Sequence, residues 1–302
     1  MALCRWLLRL CCLCLASLPL APSGQAAEVL LTALEDSQGI RAFTAELARQ
    51  RPQDRVRFRL LAELPAPGRL PDATRLILLD SASFGWRLQE SRGPATLVLL
   101  ISRVQARQRL GSYRPPRLTL LWSDPPPDRQ LKLIRQILPE ARRIGVLYGR
   151  NSAFLLEELR KAAQPLALEI IGQSWADTTD NRSVQALLKQ SDVILGLDDA
   201  DLYNSKTAKN LLLTSYAGQR ALIGPSLAFV KAGSLASTYS DPADWLAIVT
   251  DLLDQPASNW PRALYPDHFK VASNRQVARS LGIEPIDERA VAAALAEGET
   301  TP

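Results

Sequence analysis

The chain has 302 residues, of which 47% are hydrophobic and 22% are charged, and its formal net charge is +5. This length suits one large or two medium domains with buried cores, and the composition excludes intrinsic disorder and a collagen-like structure. The small net charge gives no argument for nucleic-acid binding. Basic residues outnumber acidic ones from 28 to 150 and the reverse holds from 151 onward, which suggests two lobes.

Residues 1–27 have the pattern of a secretory signal peptide. The start carries Arg5 and Arg9, an apolar stretch from Leu7 to Leu20 is interrupted by Arg9 and Pro19, and small residues lead to Ala27. This order predicts cleavage and export to a periplasm. The alternative is a membrane anchor, but the apolar stretch falls short of the roughly 20 residues of a spanning helix. All four cysteines lie in this segment, so the expected mature chain has no thiol and no disulfide.

Apolar runs of strand length alternate with amphipathic stretches of helix length in the first half of the remaining chain. The predicted strands are Val29–Thr32, Val56–Leu61, Leu76–Leu79, Thr96–Ile101 and Leu118–Leu121, and the predicted helices are Gly39–Arg49, Phe84–Glu90 and Arg103–Leu110. This alternation predicts a parallel sheet covered by helices.

The second half repeats the alternation. Its predicted strands are Ile144–Tyr148, Leu168–Ile171, Val193–Leu197, Ala221–Ile223 and Leu235–Thr238, and its predicted helices are Ala153–Ala163, Arg182–Gln190, Ser205–Tyr216 and Pro242–Leu253. Between the halves, Trp122 to Pro127 contains three consecutive prolines, which exclude a helix and indicate a linker or a hinge. The prediction is two α/β lobes, with further crossings after Leu235–Thr238 and within Ala257–Pro266.

The predicted domain bounds are 28–123 for the first lobe and 124–268 for the second. A strand and a helix are predicted in the segment that follows, and residues 269–302 are expected to return to the first lobe. In that case several strands would tie the lobes together, and any closure would be a hinge motion.

Motifs for catalysis are absent from the sequence. His268 is the only histidine, Ser226 lacks the glycine pattern of a nucleophile elbow, and no phosphate-binding loop is present. No enzyme activity and no cofactor are therefore expected. Three acidic residues follow a predicted strand, namely Asp198, Asp199 and Asp201. They could bind Mg²⁺ or Ca²⁺, but the favoured interpretation is that they are carboxylates at a helix N-terminus. No metal site is therefore predicted.

Polar and aromatic residues follow the predicted strands where ligands bind in open parallel sheets, beyond the carboxyl ends. These candidate ligand-binding residues are Thr32, Asp80, Ser102, Tyr148, Asn151, Ser152, Asp199, Ser226 and Tyr239. They could hold a small solute without performing chemistry. The alternative is that strand ends lead into turns, which are polar in any case.

Residues 124 to 285 resemble a known family. The stretch Asp128–Tyr148 is similar to a helix and the first second-lobe strand of type I periplasmic binding proteins, in particular ABC-transporter solute-binding proteins associated with aromatic amino acids. Further similar segments occur in the family's order: Asn151-Ser152, Ser191–Ile194, Asp199, Val230–Ala236 and Asn274–Ile283. The resemblance implies two Rossmann-like lobes with parallel sheets around a cleft that closes on a ligand.

The resemblance also implies positions for the binding residues. It places Tyr148, Asn151, Ser152 and Asp199 on second-lobe cleft loops, where Asp199 could accept a ligand ammonium group. The first lobe departs from the family pattern at two segments, where Ser102-Arg103-Val104 and Arg114-Pro115-Pro116-Arg117 replace a Thr-Asp-Pro type turn and a glycine-rich crossing.

The expected function is that of an exported solute-binding protein of an ABC-type importer. It would bind a small molecule, with an amino acid as one candidate, and would act as a monomer with an inner-membrane permease as its partner. The alternative is a periplasmic binding protein that signals to a membrane sensor or an outer-membrane receptor instead of supplying a transporter. No nucleic-acid partner is expected.

Overall fold

The structure is a computed structural model that describes residues 27–300. The predicted signal peptide, apart from Ala27, lies outside the described residues. The described chain folds into two six-stranded sheets with helices on their faces, which confirms the predicted two-lobed α/β fold.

The first lobe begins with five parallel strands and three helices. In chain order these are β1 (Glu28–Ala33), α1 (Gln38–Gln50), β2 (Arg55–Leu60), β3 (Arg75–Leu78), α2 (Ser81–Arg87), β4 (Ala95–Ile101), α3 (Arg103–Leu110) and β5 (Leu118–Trp122). Alternate residues of β1 face opposite sides of the sheet. Leu31 packs with Leu47 of α1, and Leu30 packs with Phe84 of α2. Helices therefore cover both faces, which explains why β1 is a continuous apolar run.

The second lobe repeats this arrangement. Its elements are α4 (Pro127–Ile137), β6 (Arg143–Tyr148), α5 (Leu155–Ala163), β7 (Glu169–Ser174), α6 (Arg182–Gln190), β8 (Val193–Leu195), α7 (Ala208–Ala217), β9 (Ala221–Ile223), α8 (Leu227–Ala232) and β10 (Ala236–Tyr239). The strands from β6 to β10 pair in parallel. Gly145 of β6 brings α6 close, because a Cβ there would lie 2.6 Å from Ser191 Oγ and 2.9 Å from Leu187 Cγ.

The chain then crosses between lobes twice more. It continues through α9 (Pro242–Leu253), β11 (Ala263–Leu264), β12 (Lys270–Ser273), α10 (Arg275–Ser280) and α11 (Glu288–Thr300). The strand order is β11-β5-β4-β3-β1-β2 in the first sheet and β12-β10-β9-β8-β6-β7 in the second. The crossings follow β10 and β11, within or beside the two segments suggested by the sequence.

The predicted lobe is wrong for two segments, each of which lies in the other lobe. Residues 242–264 belong with the first lobe, since Trp245 and Val249 of α9 pack against its core and β11 pairs with β5. Residues 269–300 belong with the second lobe instead of returning to the first. There β12 runs antiparallel to β10 and covers that sheet edge, and its Val271 is buried. A strand pattern predicts a strand but not the sheet edge that receives it.

Among the residues that the structure describes, no helix combines the length and the apolar content needed to cross a membrane.

Candidate functional site

The two lobes meet at the carboxyl ends of their sheets. Ser102, which follows β4, donates its hydroxyl to the backbone carbonyl of Asp198, beyond β8, at 3.3 Å. Three chain segments join the lobes near this contact: 122–127, 239–242 and 264–270. This geometry places polar strand-end residues of both lobes at one boundary.

A charged cluster lies at the first crossing. Asp124 accepts hydrogen bonds from the Arg103 backbone at 2.8 Å and from its Nε at 3.0 Å, and Arg103 also forms an ion pair with Glu158 of α5. Burial raises the pKa of Asp124 against the effect of Arg103. Burial, with the nearby Asp124 and Asp199 charges, also raises the pKa of Asp198 to about 7. The lobe boundary beside this crossing therefore holds an acidic group, Asp198, whose pKa is raised towards neutrality.

The turn after β6 is fixed by buried hydrogen bonds. Ser152 Oγ accepts from the Gly149 N–H at 3.0 Å and donates to Asp199 Oδ2 at 2.5 Å. The other Asp199 oxygen accepts from the Asp201 backbone at 3.1 Å, and Asn151 donates to Asp201 Oδ2 at 2.8 Å. Asp199 is 1% exposed. In this arrangement its carboxylate joins two second-lobe loops.

The predicted first-lobe residues lie at strand ends, and two of them cap helices. Asp80 accepts from the Ser83 backbone at the start of α2 and from the Leu34 backbone at 2.6 Å, while Ser102 accepts from the Gln105 backbone at the start of α3. Thr32 is fully buried, and its hydroxyl has no hydrogen-bond partner among the described residues.

The nine predicted residues differ in accessibility. Thr32, Ser102, Ser152 and Asp199 are at most 1% exposed, whereas Asp80, Tyr148, Asn151, Ser226 and Tyr239 are half-buried. Ser226 precedes α8 with its hydroxyl outside the capping hydrogen bonds, and Tyr239 ends β10.

Two leucines at the same end of the first sheet point into solvent. Leu34 follows β1 and is 57% exposed, and Leu100 of β4 is 53% exposed with a positive φ of 57°. The register with β5 shifts between Val98 and Ile101, so Leu100 lies within a bulge. Positive φ is unfavourable for a residue with a Cβ and is concentrated at binding sites.

A cavity of about 830 Å³ lies between the lobes. Its first-lobe walls are α3, the loop after it, β5 and the start of β11, and its second-lobe wall runs from Arg150 to Glu158. Of the nine predicted residues only Asn151 lines it. The sequence interpretation missed its arginines, which are Arg103, Arg107, Arg114, Arg150 and Arg262.

A signal for this cavity was present in the sequence. Arg103, Arg114 and Pro115 line it, and they belong to the two segments where the chain departs from the family pattern. Those departures mark the cavity walls more closely than the strand-end rule does.

The described residues contain no group of three or more histidine, cysteine, aspartate or glutamate side chains that could hold a metal ion. Asp199 is instead engaged by Ser152 and by a backbone N–H.

Comparison with solved structures identifies similar folds. An ABC domain in complex with L-Trp from Streptococcus pneumoniae has 16% identity and a TM-score of 0.58, covering 87% of this chain and 96% of that one. A conserved domain protein from Vibrio cholerae has 18% identity and a TM-score of 0.58, covering 89% and 98%. The ligand-free, open form of a substrate-binding protein with adhesive properties from Clostridium difficile has 15% identity and a TM-score of 0.66, covering 87% and 97%.

No protein-family model matches this sequence. No curated protein matches it either. At these identities the solved structures establish the two-lobed fold and leave the ligand to be inferred from this chain's own residues.

Proposed function

We propose that this chain, whose fold is that of the type I periplasmic binding proteins, is an exported solute-binding protein that supplies an ABC-type importer. It binds a small molecule between its lobes. The observation that best supports this proposal is the cavity of about 830 Å³ with walls from both lobes. Small-molecule sites span about 300–1,000 Å³ and occur preferentially at domain interfaces.

The connections between the lobes support binding coupled to closure. Three crossings restrict the relative motion of the lobes to hinge bending. The contacts between the lobes include two polar ones, Ser102 with Asp198 and Arg103 with Glu158. A ligand that touches both lobes would add contacts only in the closed arrangement, and would therefore shift the population towards it.

The solved relatives support a small-molecule ligand. One was crystallised with L-Trp and another is a substrate-binding protein in an open form. Export to the periplasm, action as a monomer and delivery to a permease rest on the leader pattern of residues 1–27 and on the family resemblance.

The test begins with a thermal-shift screen of the purified chain from Glu28 against amino acids, organic acids and sugars. A ligand at 100 times its Kd stabilises the folded state by about 2.7 kcal/mol. Hits are then measured by small-angle scattering, where a smaller radius of gyration with ligand is expected. A screen without any stabilising solute would contradict the proposal.

A further inference from the structure

The interlobe cavity is strongly basic. Five arginines line it and Glu158 is the one acidic residue among its lining residues. Arg103 is engaged by Asp124 and by Glu158. The other four have no carboxylate within ion-pair distance in the described part of the chain, and all four are exposed: Arg107, Arg114, Arg150 and Arg262.

These arginines come from both lobes. Arg107 lies on α3 and its guanidinium stacks over Phe154 of the second lobe at 4.4 Å. Arg262 immediately precedes β11, and Arg150 lies in the turn after β6. Arg114 donates to the Gly111 and Tyr113 carbonyls, which holds its head group at the first-lobe wall. Clefts lined by one sign of charge focus the field and attract ligands of the opposite sign.

The floor of the cavity is apolar. Leu118, Leu120 and Trp122 follow one another at every second position of β5, so they project from the same face of the sheet. Ala106 and Leu110 of α3 form the adjacent wall. Trp122 is half-buried. An inorganic anion would leave this floor without a partner.

We infer that the cavity binds an amphipathic organic anion, with an apolar body against the β5 face and a carboxylate or phosphate group among Arg107, Arg150 and Arg262. This inference rests on the proposed function, since it names the class of solute. Arginine donates several hydrogen bonds in a planar fork that matches both anionic groups. An anion held by Arg150 and Arg262 would join the two lobes directly.

The experiment compares matched ligands by isothermal titration calorimetry. Indole-3-propionate, octanoate and phenyl phosphate are each tested beside an uncharged counterpart, namely the two amides and phenol, and inorganic phosphate tests the need for an apolar body. At least one organic anion is expected to bind at least tenfold more tightly than its counterpart and than inorganic phosphate. Its affinity should fall as salt is raised, because charge attraction is screened.

The double variant Arg150→Gln, Arg262→Gln tests the site. Both side chains are exposed and outside any ion pair among the described residues, so the variant should fold as the parent does. Anion affinity should fall at least tenfold, while Arg109→Gln, an exposed residue of the same α3 helix that does not line the cavity, should leave it unchanged.

Two results separate this inference from the proposed function. If amino acids or sugars bind with equal affinity to the parent and the double variant while the organic anions do not bind, the inference is wrong and the solute-binding function stands. If no solute of any class binds to the parent, the solute-binding function fails as well. Equal binding of anions and uncharged counterparts would also overturn the inference.

Discussion

The Asp198 carboxyl group lies where the lobes meet, beside two other acidic residues, and its pKa is raised to about 7 from an ordinary value of 3.8. The folded state therefore holds this proton more tightly than the unfolded state does. The resulting stability is present below about pH 4 and is lost as the pH rises through about 7.

Replacing Asp198 with Asn should remove this loss. The variant should be more stable than the parent at pH 8, and the difference between their free energies of unfolding should shrink towards pH 4. Urea unfolding across this pH range measures both. Asp267→Asn, at an exposed position, is the control. A parallel pH dependence in parent and Asp198→Asn would contradict the raised pKa.

Ser152 is a second residue with a measurable role. Ser152→Ala deprives the buried Asp199 carboxylate of its hydroxyl donor and the Gly149 N–H of its acceptor. Leaving buried polar groups without partners costs about 1–3 kcal/mol. Urea unfolding should show a loss of this size for Ser152→Ala and almost none for Ser205→Ala, which is exposed. Equal losses of stability in the two variants would show that the Ser152 hydrogen bonds do not stabilise the fold.

The same residues show what the sequence could predict about the site. It located Asp80, Ser102 and Asp199 correctly at strand ends, because apolar runs end where polar turns begin. It could not distinguish a residue that faces a ligand from one that caps a helix or joins two loops. That difference depends on partners distant in sequence, such as Ser152 for Asp199, which lies 47 positions away.

At the scale of elements, α6 and β6 pack unusually close. Gly145→Ala would bring a Cβ to 2.6 Å from Ser191 Oγ and 2.7 Å from Ile194 Cδ1. Overpacking of this kind costs about 1–3 kcal/mol. Gly39→Ala in the first turn of α1 meets only Ser37 Oγ at 3.9 Å, and should be neutral or stabilising by up to about 1 kcal/mol. Thermal unfolding of both variants tests the contrast, and equal melting temperatures would refute it.

Elements with a clear apolar pattern were predicted from the sequence, whereas the formation of others depends on contacts with neighbouring elements. The apolar runs of β1, β3 and β6 identify them as buried strands. The two-residue strand β11 has no such pattern and exists because its backbone pairs with β5. The alanine-rich α11 was not predicted, since few large apolar residues mark its inner face, although Val291 and Leu295 are buried there.

For the whole molecule, several contacts across the boundary join the lobes without a ligand. The Ser102–Asp198 hydrogen bond is one, and Val104 of α3 is buried in the apolar core of the second lobe. Two further contacts lie closer to the surface. They are the Arg103–Glu158 ion pair and the Arg107–Phe154 stack. Glu158 is exposed, and contributions from such pairs and from exposed cation–π contacts are each about 1 kcal/mol or less. Removing these two contacts should therefore weaken the present lobe arrangement by an amount of this order.

The double variant Phe154→Ala, Glu158→Gln should shift the free protein towards a more open form. Small-angle scattering should give a larger radius of gyration than the parent has. Glu157→Gln, which removes only a distant exposed pairing with Lys161 at 3.8 Å, should leave the radius unchanged. An unchanged radius in the double variant would show that other contacts set the lobe arrangement.

The order in which the chain visits its lobes also determines when each can be completed during synthesis. The first lobe lacks α9 and its edge strand β11 until residue 264 has been made, long after β5. At about 5–20 residues per second the delay is roughly 7–28 s. Until then the sheet face that Trp245 and Val249 will cover stays open, and β5 remains an unpaired edge. A nascent chain stopped after β10 would accordingly be a target for chaperones or aggregation, and neither lobe can be expressed as one contiguous fragment.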